Sequence, residues 1–221
     1  MSGHSPEDLQ RIYETRFSAN VDYRQQVWRV LIERFFQGYV RADAAVLDLG
    51  CGYGEFINQV GCGSKFAMDL NPDAPKRLAP QVKCLLQDCS ARWPLEDDSL
   101  DVVFSSNFFE HLPDKSSLGR TLDEIHRCLK PGGRLIALGP NIKYLPGAYW
   151  DFWDHYIPLT ETSLQEALEN RAFRIEKCVA RFLPYTMASG PRYPLFFLRL
   201  YLALSSFWRF FGKQFLVIAT K

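Results

Sequence analysis

Apolar positions recur along this chain in two rhythms. From about Pro6 to Tyr39 they fall at helical spacing, with Val27, Val30, Leu31 and Phe35 among them, and this predicts helical, aromatic-rich segments at the start. Beyond residue 44 short apolar runs alternate with longer mixed stretches. These runs predict strands near 45–49, 65–69, 82–87, 101–105, 133–138, 173–182 and 214–220, with helices between most of them. Such alternation builds an α/β fold, a mostly parallel sheet covered by helices on both faces, whose ligands bind beyond the C-terminal strand ends. The 221 residues, 47% of them hydrophobic, suffice for one full core, so a single domain over 1–221 is expected.

The first strand runs directly into a glycine-rich turn, Val46-Leu-Asp48-Leu-Gly50-Cys51-Gly52-Tyr-Gly54-Glu-Phe56. Glycines there permit positive φ and close approach of backbone to a ligand. The spacing is G-x-G-x-G, shorter than the G-x-G-x-x-G of a dinucleotide site, and Asp48 precedes it. An acid at that point repels a pyrophosphate and suits a cation, such as the amino group or sulfonium of an amino-acid-bearing nucleoside. A second acid, Asp69, ends the next strand 19 residues beyond Gly50 and is placed to accept from two ribose hydroxyls. A third, Asp88, ends the strand after that, before Cys89 and Ser90, and is placed to accept from an adenine amino group.

These segments, together with FAMDLNPD, LLQDCSARWPLEDDSLDVVFSSNFFEHL and LKPGGRLIALGPN, resemble class I S-adenosylmethionine-dependent methyltransferases of the small-molecule type, over about residues 45–140. The resemblance implies a Rossmann-like seven-stranded sheet with an antiparallel last strand, and S-adenosyl-L-methionine as cofactor. It implies cofactor contacts at Asp48, Gly50, Cys51, Gly52, Gly54, Asp69, Leu70, Asp88, Cys89 and Ser90, with Asn107 and Phe108 closing over the adenosine. A looser match over Tyr13-Glu-Thr-Arg-Phe17 and Tyr23-Arg24 resembles the family's N-terminal cap, within 1–40, and adds Tyr13, Tyr23 and Arg24. A non-catalytic S-adenosylmethionine-binding or scaffolding protein would carry the same turn and acids.

Charge narrows the partners. Lys plus Arg total 26 against 25 Asp plus Glu, so no basic excess draws a phosphate backbone, and nucleic acid is not an expected partner. The six cysteines, at 51, 62, 84, 89, 128 and 178, form no C-x-x-C pair and read as reduced thiols, with no metal centre expected. The start lacks a basic then apolar leader, which leaves a cytoplasmic protein as the expectation.

Methyl transfer from a sulfonium needs positioning above all, and a general base if the acceptor is a hydroxyl. Glu110 and His111, just past the fourth strand, are candidates. A second cluster follows the fifth strand, in 141–160, where Tyr144, Tyr149, Trp150, Trp153 and Tyr156 form a prospective acceptor wall. There His155 with Asp154 or Asp151 would supply a base and its orienting acid. A similar Tyr-Trp-Asp-Phe-Trp-Asp-His segment occurs in family members that tailor saccharides or natural products, so the resemblance implies a small-molecule or saccharide-like acceptor. Structural packing of the same aromatics and histidines is the competing expectation.

The last segment before the final strand, 190–213, is the least ordinary. Wound as one helix, it gathers Arg192, Arg199, Ser206, Arg209 and Lys213 into one sector opposite Phe196, Phe197, Leu200, Tyr201, Leu204, Trp208 and Phe211. Its charge-free run is nine residues, short of the ~20 that span a bilayer. Peripheral membrane contact, with a lipid-linked acceptor, is one expectation; a homodimer contact or packing within the protein is the other.

Overall fold

In the computed structural model, residues 21–185 and 192–221 are described. The first element is helix α1 (Val21–Arg34), continued by a 3-10 turn at Phe36–Tyr39. Strands β1 (Ala45–Leu49), β2 (Ser64–Asp69), β3 (Val82–Leu86) and β4 (Leu100–Ser106) follow. Helix α2 (Lys115–Cys128), strand β5 (Leu129–Pro140), helix α3 (Glu161–Glu169) and strand β6 (Arg174–Leu183) come next. Helices α4 (Leu195–Ala203) and α5 (Trp208–Phe211) lead into β7 (Gln214–Thr220).

The seven strands form one sheet in the order β3-β2-β1-β4-β5-β7-β6. Pairings from β3 through β5 are parallel, and β7 runs antiparallel to both β5 and β6. This is the Rossmann-like arrangement expected. All seven expected strands are present, and β5 starts earlier than expected, at Leu129, with Pro131-Gly132-Gly133 inside a register shift between Leu100 and Val102 of β4.

Central strands are apolar on both sides because both sides are covered. Val46, Leu47 and Leu49 of β1 and Leu135, Ile136 and Leu138 of β5 are all buried. On one face α1 packs Trp28, Leu31 and Ile32 with Phe36, Phe56, Phe104 and Phe182, and the rings of Phe56 and Phe104 stack at 3.7 Å. On the other face, α2 and α3 contribute Leu118, Leu122, Ile125, Leu164 and Leu168. Both of these helices are capped: the Asp114 carboxylate accepts from the Ser117 N–H at 2.6 Å, and Thr160 and Ser163 form a capping box.

Two connections depart from the expected strand–helix alternation. Between β1 and β2 there are only turns, and between β2 and β3 only a 3-10 turn at Ala74–Arg77. Glycine explains the first, since five of the fourteen residues 50–63 are Gly, each costing helix about 1 kcal/mol relative to Ala. The segment 190–213 also departs from a single helix. It breaks at Leu204, passes through a 3-10 turn at Ser205–Phe207 and restarts as α5, so the single stripe of the helical wheel is not formed. Trp208 turns inward, 8% exposed, and Tyr201 donates its hydroxyl to the Phe182 carbonyl at 2.7 Å, while the remaining aromatics stay outside.

Candidate functional site

The C-terminal ends of β1, β2, β3 and β4 lie at one edge of the sheet, since Leu49 aligns with Met68 and Ser105, and Asp69 with Leu86. The glycine turn leaves β1 at this edge. Gly50, Gly52 and Gly54 all have positive φ, at 70°, 52° and 71°. At Gly50 a side chain would have no room, because its Cβ would stand 2.2 Å from the Phe108 ring. The missing side chain lets Phe108 close against the turn, and the turn is pinned by Gly50 and Cys51 N–H donating to the Met68 carbonyl at 2.9 and 3.2 Å.

Asp69 holds this turn from the neighbouring strand. Its carboxylate accepts from Gly52 N–H at 2.8 Å and from Asn71 N–H at 2.9 Å, and burial raises its pKa. Each oxygen retains acceptor capacity. Leu70 follows it, half-buried. Asp88 accepts from Ser90 N–H at 2.8 Å, which sets the loop at the end of β3. Cys89 beside it is buried against the Thr121 hydroxyl at 3.3 Å, and burial pushes its thiol up to about 12, so it packs rather than reacts.

Asn107, at the end of β4, adopts φ 50° and has a buried Oδ1 with no hydrogen-bond partner among the described residues. A buried acceptor in that condition costs free energy until a donor reaches it. Positive-φ glycines, an acid at each of two strand tips and this orphan acceptor fit the ribose and adenine donors of S-adenosylmethionine.

Asp48 lies beneath the turn rather than in it. It is 3% exposed, its carboxylate accepts from Ile57 N–H at 3.3 Å, and burial pushes it up to about 8. Arg24 of α1 is also buried and pairs with Glu55, one residue past Gly54, with Arg24 Nε–Oε1 at 3.0 Å. The Arg24 guanidinium stands 5.3 Å from the Tyr53 ring centroid, so this side chain braces the turn against α1. Tyr23 places its hydroxyl on the Tyr193 backbone, accepting from its N–H at 3.1 Å and donating to its carbonyl at 3.0 Å. Tyr13 lies outside the described residues.

The candidate catalytic residues converge just past β4. His111 Nδ1 lies 2.9 Å from the Asp154 carbonyl and 3.2 Å from Asp154 Oδ2. Burial disfavours the imidazolium, but the Asp154 hydrogen bond and the Glu110 and Asp154 charges together outweigh it, so the His111 pKa is raised. His155 Nδ1 lies 2.6 Å from the Tyr149 carbonyl, and its ring meets that of His111 edge-on at 4.7 Å. Glu110 is 1% exposed and accepts the Tyr149 hydroxyl at 2.6 Å, so it positions Tyr149 from below. Asp151 is exposed on the 3-10 turn Ala148–Asp151.

Proximity in the sequence pairs Asp154 or Asp151 with His155; the structure sets Asp154 against His111. The Glu110–Tyr149 and Arg24–Glu55 pairs join residues 39 and 31 positions apart and leave no local signal. Ligand atoms of His111, Asp154 and His155 lie within 4.8 Å of one another, and this cluster is where a metal ion would be held, although none was expected.

A family model described as a methyltransferase domain matches residues 47–137. That span holds the glycine turn, Asp69, Asp88, Asn107 and the Glu110-His111 pair. Over these residues the chain is similar to a methyltransferase domain. An S-adenosylmethionine-dependent methyltransferase from Archaeoglobus fulgidus superposes with a TM-score of 0.68 at 22% identity, covering 96% of this chain and 99% of that one. Its likeness shows the fold. In sequence, a protein of Mycolicibacterium smegmatis described as a probable S-adenosylmethionine-dependent methyltransferase is 29% identical over 147 residues, 58% of this chain and 56% of that protein. The demethylmenaquinone methyltransferase of Symbiobacterium thermophilum is 26% identical over 193 residues, 71% of each chain. The chain spans less than two thirds of the length of most of the curated relatives it matches.

Proposed function

We propose that the protein is an S-adenosylmethionine-dependent methyltransferase acting on a small-molecule or saccharide-like acceptor. The observation that carries this reading is the glycine turn with three positive-φ glycines, held by Asp69, together with the Asn107 Oδ1 at the end of β4 that has no partner among the described residues. When bound, S-adenosylmethionine supplies a methyl group already activated on a sulfonium.

The protein's own residues then have three tasks. The turn from Gly50 to Gly54, with Asp69, Asp88, Asn107 and Phe108, holds the adenosine half. Asp69 at the turn and Asp48 beneath it place two carboxyl groups that favour a cationic ligand over a pyrophosphate, with Asp48 ionising as the cation seats. His111 and His155 stand on the acceptor side, where a neutral imidazole accepts the proton of an acceptor hydroxyl. Both histidines have Nδ1 at a backbone carbonyl, which fixes Nδ1 as the protonated nitrogen of the neutral ring and leaves Nε2 as the accepting atom. Trp150, Phe152 and Trp153 supply flat apolar surface for a sugar or ring, with Trp153 83% exposed.

The acceptor is read as saccharide-like from this aromatic wall, and as lipid-linked from the exposed apolar segment that contains α4 and α5. A cytoplasmic enzyme fits this cofactor. The test is transfer of radiolabelled methyl from S-adenosylmethionine to a panel of sugars, glycolipids, amines and quinols. Labelling of a saccharide class that His155→Ala reduces, with cofactor affinity kept, supports the reading. No labelling of any acceptor by a protein that binds the cofactor would favour the scaffolding alternative.

A further inference from the structure

The segment joining β6 to β7 has chemistry unlike the rest of the molecule. The chain as a whole is nearly balanced at +1, yet residues 177–221 contain seven Lys or Arg and no Asp or Glu. Between the two strands, several of the large apolar residues do not go inside. Phe196, Phe197, Leu200, Phe207, Phe210 and Phe211 are between 44% and 66% exposed. A concentration of large side chains in water on this scale marks an interaction surface.

The surface is built, not loose. Trp208 and Leu202 are buried at 8%, the Trp208 indole N–H donates to the Tyr201 carbonyl at 2.9 Å, and Tyr201 is anchored on Phe182. Arg181 donates to the Gly212 carbonyl at 2.8 Å and to the Phe210 carbonyl at 2.6 Å. These contacts fix the inner side of α4 and α5, so the outer phenylalanines are presented rather than awaiting burial. Arg199, Arg209 and Lys213 are exposed on the same segment, and the Arg209 guanidinium lies 4.6 Å from the Phe210 ring centroid.

We propose that this face rests in the interfacial layer of an anionic membrane. The charge pattern selects that occupant. A second copy of the chain meeting this face about a two-fold axis would bring Arg209 and Lys213 against their own kind, with no carboxylate in the segment to relieve them. An anionic bilayer offers apolar depth for the phenylalanines and phosphates for the cations. Spanning is not the mode of attachment: among the described residues no helix is long and apolar enough to cross a membrane. The Tyr23–Tyr193 hydrogen bonds join the start of this segment to α1, whose Arg24 braces the glycine turn. The proposal itself does not depend on which acceptor is methylated.

Vesicle flotation with the full chain tests it. Vesicles of phosphatidylcholine mixed with phosphatidylglycerol are expected to carry the protein, phosphatidylcholine alone much less, and added salt should weaken the binding. Phe196→Ser with Phe210→Ser should lower the partition coefficient about tenfold or more, and Arg209→Glu with Lys213→Glu comparably, because each pair removes one of the two attractions. All four positions are exposed, so melting curves and S-adenosylmethionine titration serve as folding controls and should not change. Absence of flotation with the anionic vesicles would overturn the proposal, as would equal flotation of the variants. Sedimentation showing a wild-type dimer that Phe196→Ser with Phe210→Ser dissociates, without vesicle binding, would assign the face to a second copy instead.

Discussion

Asp48 tests how the cofactor's positive end is received. Burial is the main reason its carboxyl is pushed up to about 8; the Glu55 and Asp69 charges add to the rise and the Ile57 N–H opposes it. At pH 7 a group of this pKa is about nine-tenths protonated, and ionising it costs about 1.4 kcal/mol. A cation seated at the turn favours the carboxylate through the protein interior and lowers that pKa. Binding at pH 7 should therefore expel close to one proton, and affinity should rise about tenfold from pH 7 to pH 9, where the carboxyl is already ionised.

The sign for stability follows from the same shift. Because the folded pKa lies above the unfolded value of 3.8, this group favours folding fully below about pH 4, and the contribution is lost as pH climbs through about 8. The free protein should accordingly be roughly 2–3 kcal/mol less stable at pH 9 than at pH 6 from this group alone. Asp48→Asn should remove both effects and weaken cofactor binding at pH 9. The assay is calorimetric titration of S-adenosylmethionine at pH 7 in phosphate and in Tris, whose ionisation enthalpies differ. Identical binding enthalpies in the two buffers, with a pH dependence that Asp48→Asn leaves in place, would refute the reasoning.

Other predictions concern the same edge of the sheet. Asp69→Ala removes charge-assisted acceptors for the ribose and should weaken S-adenosylmethionine binding by about 1.5–3 kcal/mol, roughly tenfold to a hundredfold by titration; unchanged affinity would remove Asp69 from the site. Gly50→Ala forces a Cβ to within 2.2 Å of the Phe108 ring at a φ of +70°, so Phe108 must move and cofactor binding should fall along with the melting temperature. With the His111 pKa raised, the neutral base appears only as pH rises through it, so kcat/KM should climb toward alkaline pH, and His111→Ala should abolish that limb. Prolonged chelation with EDTA should leave the rate unchanged; a loss restored by one divalent metal would make His111, Asp154 and His155 a metal centre.

Sequence carried the sheet and the placing of the glycine turn and acids at the strand ends because their physics is local. Val46, Leu47 and Leu49 before Gly50, and Asp69 and Asp88 at strand tips, are each recognisable from neighbours within a few residues. The acceptor side depends on contacts between distant segments. Asp154 is adjacent to His155 in sequence, yet its carboxylate lies against His111, because the chain turns back after Phe152 and brings Tyr156 and Ile157 N–H onto the Glu110 carbonyl at 2.8 and 3.1 Å. Tyr149, legible only as an aromatic in a wall, is buried on Glu110. Periodicity misled in 190–213, where a continuous helical wheel hid the break at Leu204 and put Trp208 on one face with Phe196, Phe197 and Phe211, which stay exposed while Trp208 is buried. Arg24 and Tyr23, read as cofactor contacts, have their polar groups on Glu55 and Tyr193.

The central claim is that the turn from Gly50 to Gly54 with Asp69 receives S-adenosylmethionine rather than a dinucleotide. Calorimetric titration of the purified protein with S-adenosylmethionine, its demethylated product and NAD measures this directly. The account predicts micromolar binding of the first two and none of NAD. Binding of NAD, or of none of the three, would contradict it.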